Sequence, residues 1–172
     1  MQHGTLDATA YAFAGPLVGA LARPLGGWLA DRHGGANVAI ACFAAMAGAI
    51  ALLLAATASY GAFLAAFAVL FVASGVGNGA VFQLFPHVFA RAHGAAAGEG
   101  ARAASLEAAA ALGVASGIAA FGGFVIPKAY GTAVATTGGV QPALALFLLF
   151  YLSCIAVAWW FYARPEAARR TA

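Results

Sequence analysis

Arg23 is the residue of this chain with the most evident chemistry. It lies within Phe13–Ala30, an apolar run long enough to cross a bilayer. A guanidinium stays protonated at any cellular pH, and holding it at membrane depth costs at least about 2.5–3.5 kcal/mol. A cation in that position faces protein or water and meets an anion. Gly15, Gly19, Arg23 and Gly27 recur every four residues and share one slowly drifting helix face. The Gly15–Gly19 pair suits close approach of another helix, which turns Arg23 into a bundle rather than toward lipid. The alternative is that Arg23 snorkels to the surface or pairs with an acid from elsewhere. The apolar runs hold no deeply placed carboxylate, which favours an exogenous anion.

Two amides add to this. In Ser74–Pro86, Gly75, Gly79 and Gln83 share a face, and Asn78 lies about a quarter turn from Gly79. Asn78 and Gln83 at membrane depth either orient an anion or bond across helices. Further along, Gly113 and Gly117 form a second close-approach pair. Gly122 and Gly123 precede Pro127 in a helix that can bend or expose backbone N–H groups to a cavity. Gly117, Gly122 and Gly123 therefore join Arg23, Asn78 and Gln83 as candidate substrate contacts, and Phe121 and Phe124 as candidate cavity walls. His87 and His93 read as surface residues. Metal-ligand spacing, a nucleophile–base set and a phosphate loop are absent from the sequence, so no cofactor or metal and no enzyme activity are expected.

Positioning these groups falls to membrane helices. Of the 172 residues, 64% are hydrophobic and only 8% charged, against about 25% charged in soluble domains. Five apolar spans can be drawn, at about 8–30, 38–58, 62–89, 105–127 and 142–163, each near the ~20 residues that cross a bilayer. Barrel strands alternate over ~10 residues and these runs do not. The expected fold is an all-α, polytopic transmembrane helix bundle, rich in the small residues that let helices approach in lipid. Cys42 and Cys154 fall in separate spans and read as reduced packing residues. The basic residues are scattered, so the net charge of +3 does not indicate nucleic acid.

Charge placement orients the bundle. Arg32, Arg91, Arg102, Arg164, Arg169 and Arg170 fall on one side, and Lys128, in the link between the fourth and fifth spans, on the other. The positive-inside rule puts the arginine-rich side, and with it the C-terminus, in the cytoplasm. An external N-terminus with no insertion signal before Ala8, and a start that reads like mid-loop (Met1–Thr5), point to a fragment of a longer protein.

Gly27-Trp28-Leu29-Ala30-Asp31-Arg32-His33-Gly34 resembles the Gly-x-Leu-Ala-Asp-Arg-x-Gly loop of the major facilitator superfamily, with Gly35 where a basic residue is usual. That resemblance implies a cytoplasmic conformational latch built on Gly27, Asp31, Arg32 and Gly34. With Gly15–Gly27, the Gly77-Asn78-Gly79 stretch with Phe82-Gln83, and Gly122-Gly123-Phe124-Val125-Ile126-Pro127-Lys128, most of the chain is similar to the nitrate/nitrite porter family of that superfamily. The last stretch resembles the second of the family's glycine-rich nitrate signatures. The resemblance implies a partial C-terminal half, the last five of twelve helices, in a bacterial-type inner membrane. It places Arg23 as the second-half member of a pair of substrate-binding arginines, whose partner lies in a missing N-terminal half. The implied function is transport of nitrate or nitrite by alternating access. The alternatives are a superfamily transporter of another anion or small molecule, and a truncated remnant that does not transport.

Overall fold

In the computed structural model, residues 13–55, 60–94 and 99–163 are described. They form α1 (Ala14–His33), α2 (Gly35–Ala55), α3 (Tyr60–Ala92), α4 (Glu99–Thr137) and α5 (Gln141–Ala158), followed by a π-helical turn, Trp159–Ala163. The chain is an all-α membrane helix bundle. The start of the first span (8–12), the end of the second (56–58), Ser59, Met1–Thr5, and Arg164, Arg169 and Arg170 lie outside the described residues.

Three of the span boundaries differ from expectation, each for a local reason. Asp31, Arg32 and His33 are not loop but the last turn of α1; only Gly34 separates it from α2. Gly34 has φ +83°, a conformation open to glycine and strained for other residues. Its N–H bonds the Ala30 carbonyl at 2.9 Å, and Asn37 Nδ2 donates to the His33 carbonyl at 3.0 Å, so the end of α1 keeps its hydrogen bonds. α3 continues past Phe89 to Ala92. α4 runs ten residues beyond Pro127, which places Lys128 inside a helix rather than in a link. Proline removes one intrahelical bond and kinks a helix. In membrane helices that loss is tolerated, and Pro24 and Pro86 are likewise internal. The actual stop is Gly138, at φ +71°, whose N–H bonds the Val134 carbonyl at 3.0 Å.

Four helices, within 35–55, 61–92, 100–137 and 141–162, are long and apolar enough to cross a membrane. α1 has 20 residues but is not among them. Arg23, Asp31, Arg32 and the glycines lower the hydropathy of its described residues. α1 instead lies along α3. A Cβ on Gly75 would run into the Gly19 carbonyl oxygen, and one on Gly79 into that of Arg23. These absences of side chain set how near the two backbones come.

α3 also packs on α2 and α4, and α2 on α5. The buried cluster is made of Ala30, Val38, Cys42, Met46, Ala73 and Ala80. Phe43 stacks on Tyr151 at 6.5 Å, and Tyr130 meets Phe147 at 5.5 Å. α4 is the least covered helix: Val114, Ile118, Phe121 and Phe124 are each about two-thirds or more exposed. At 39 residues it is about 58 Å long, nearly twice the ~30 Å hydrocarbon core.

Candidate functional site

The approach of α1 to α3 leaves a cavity of about 310 Å³ on the side where α4 leans in. Arg23 of α1 and Asn78 of α3 both line it, with Val81, Phe82 and Phe85 of α3. α4 contributes Leu112, Ala115, Ser116 and Ala119. The Arg23 backbone is held against Gly79, one residue from Asn78, so the glycine contact fixes where the guanidinium starts. Among the described residues, no carboxylate lines this cavity. Among the described residues, His93 Nε2 and a Glu107 carboxylate oxygen lie 3.4 Å apart, between the end of α3 and the third turn of α4. Such a cavity offers a forked cation, an amide and a hydroxyl between aromatic and aliphatic walls. That combination suits a small anion with several acceptor oxygens.

Gln83 is not in this cavity. It packs over Gly27 and, with Asp31 and His87, lines a separate space of about 140 Å³ where α1, α2 and α3 meet. His87 Nδ1 donates to the Gln83 carbonyl at 2.7 Å. Of the expected latch residues, Asp31 lines this small space. Arg32 turns away from it and holds its guanidinium 4.7 Å from the centre of the Trp28 ring, so no Asp31–Arg32 pair forms among the described residues. Gly34 is the single-residue link between α1 and α2.

Gly117, Gly122 and Gly123 lie outside the cavity lining, and a Cβ on any of them would meet open space. The same holds for Gly113. Within this chain, the expected close-approach pair on α4 is therefore corrected: Gly113 and Gly117 touch no other helix, whereas Gly15 and Gly19 do, against Phe71. The side of α4 facing Arg23 is Leu112, Ala115, Ser116 and Ala119, and Gly122 and Gly123 follow Ala119 by about one turn. Phe121 and Phe124 are exposed, and Lys128 sits 5.4 Å from the Phe124 ring.

Sequence reasoning passed over Ser116 and Phe85 as lining residues. The signal was present: Asn78, Phe82 and Phe85 are spaced i, i+4, i+7, one helix face. Leu112, Ala115, Ser116 and Ala119 repeat in the same way.

No family model matches the chain. It is 41% identical over 167 residues to nitrate/nitrite transporter NarU of Salmonella typhimurium, which covers 90% of this chain and 36% of that protein. It is 36% identical over 171 residues to NarU of Escherichia coli, covering 92% and 37% of the two. Against a probable nitrate/nitrite antiporter, NarK2 of Thermus thermophilus, identity is 29% over 171 residues, or 96% of this chain and 35% of the relative. The chain is thus homologous, over nearly its whole length, to nitrate/nitrite transporters, and it spans just over a third of the length of these curated relatives. The resemblance expected from its motifs stands.

Proposed function

We propose that this chain is the C-terminal part of a major-facilitator nitrate/nitrite transporter and carries half of its anion site. One observation supports this most: Arg23 and Asn78 line the same cavity, and among the described residues no carboxylate lines it with them. Nitrate and nitrite are small, planar or bent, and monovalent. A guanidinium presents planar, forked donors to such an oxyanion, which an ammonium does not. Asn78 and Ser116 supply further donors from α3 and α4. The other side of the anion is met by the half of the transporter outside this chain, and Gly117, Gly122 and Gly123 lie open on α4 for that half to approach. Alternating access then consists of the two halves rocking about the anion. Asp31 of the latch, beside Gln83 and His87 on α3, gains and loses neighbours during that motion.

The test is flux. Proteoliposomes holding the complete transporter are expected to take up labelled nitrate, and unlabelled nitrite is expected to compete while an organic anion of larger size does not. Uptake blocked equally by the larger anion sinks the assignment of substrate class and favours the other superfamily transporters.

The protein is a multi-pass membrane protein. We place the ends bearing Arg32, Arg91 and Arg102 in the cytoplasm of a bacterial-type inner membrane, on the positive-inside rule. Reporters fused after His93 and after Gly139, at the two ends of α4, are expected on opposite sides, the first cytoplasmic. Both on one side, or the reverse order, overturns this placement.

A further inference from the structure

A groove of about 710 Å³ runs between α2 and α3 on the side away from the Arg23 cavity. Its walls are Ala41, Cys42 and Ala45 on α2 and Val69, Val72 and Ala73 on α3. Polar side chains enter it at one end only, where His33 and Asn37 stand beside the Gly34 link. We propose that this groove binds one phospholipid with an anionic headgroup, its acyl chain between α2 and α3 and its phosphate at Arg32 and His33.

Length is the first argument. From Asn37 to Ala45 the groove rises about 12 Å, close to one leaflet of a ~30 Å hydrocarbon core. A crossing helix needs a seat along the full thickness; a single acyl chain needs half of it. Charge is the second. The residue before His33 is Arg32, stacked on Trp28 at 4.7 Å, an aromatic–basic pair of the kind that sits at headgroup level. The acid of this turn, Asp31, faces the small space with Gln83 and His87 instead. The groove mouth therefore carries His33 in its lining with the fixed charge of Arg32 one residue before it, and basic pockets between membrane helices take anionic lipid. Asn37 is already bonded to the His33 carbonyl at 3.0 Å, which holds the mouth in shape. The inference does not depend on which solute the protein carries.

Native mass spectrometry of the complete transporter, released from detergent mixed with equimolar phosphatidylglycerol and phosphatidylcholine, tests it. The expected result is one retained lipid per chain, with phosphatidylglycerol favoured about fivefold or more. Arg32→Gln combined with His33→Gln should bring that preference to about one. Ala41→Phe, which fills the groove from an exposed position, should remove retention of both lipids. Should that variant lose its helicity, Ala45→Leu gives the same reading with a smaller side chain. Equal retention of the two lipids by the unaltered chain, retention unchanged in the filled groove, or a lipid-free dimer closing the groove each overturns the proposal.

Discussion

Replacing Arg23 with lysine is expected to lower nitrate and nitrite uptake by the complete transporter roughly tenfold to a hundredfold, with membrane insertion unchanged. The charge is kept, so the loss measures the planar fork. A hydrogen bond to a charged group contributes about 1.5–3 kcal/mol, and that range converts to the stated factor. The cavity leaves little to compensate: Asn78 and Ser116 are its other polar lining residues, and an ammonium on a shorter reach meets one acceptor oxygen where the guanidinium meets two. Labelled-anion uptake in proteoliposomes, normalised to protein inserted, gives the number. Uptake at the unaltered rate in the lysine variant would falsify the recognition role of Arg23. Flux from the isolated 172-residue chain is expected to be nil, because its side of the site is only half of what an anion must be held by; measurable flux there overturns the fragment reading.

Gly79→Leu is expected to damage the fold severely. A Cβ at this position would collide with the Arg23 carbonyl oxygen and crowd the Gly27 nitrogen at 3.1 Å. Those are backbone atoms of a neighbouring helix and have no rotamer into which to retreat. α1 must move off α3, uncovering the buried Ala80 and Ala30 beside it. Overpacking of this kind costs about 1–3 kcal/mol, and it also displaces the base of Arg23. Gly117→Leu provides the contrast, since its added side chain enters open space in this chain, where surface changes stay within about ±0.5 kcal/mol. Thermal unfolding of both variants in detergent distinguishes them. Equal midpoints contradict the helix contact described here.

The sequence by itself determined that these are membrane helices, since runs near 20 apolar residues admit no other compact use, and it singled out Arg23 because a guanidinium in such a run has no packing role. It also marked the α1 glycines as a contact face. The separation of the two amides was already implicit in helix geometry: Asn78 and Gln83 are five residues apart, about 140° around the helix, and the structure has one lining the Arg23 cavity and the other the Asp31 space. The end of α4 was a matter of competing signals. Proline at 127 removes one hydrogen bond, whereas Gly138 supplies the left-handed residue that stops a helix. What only tertiary structure decided was which face of α4 turns to Arg23. Gly113–Gly117 and Leu112–Ala115–Ser116–Ala119 both repeat with helical period, so periodicity assigns neither inward. The choice came from how far α3, held against α1 by Gly75 and Gly79, lets α4 lean over Asn78, a distance set by backbone contact between helices far apart in sequence.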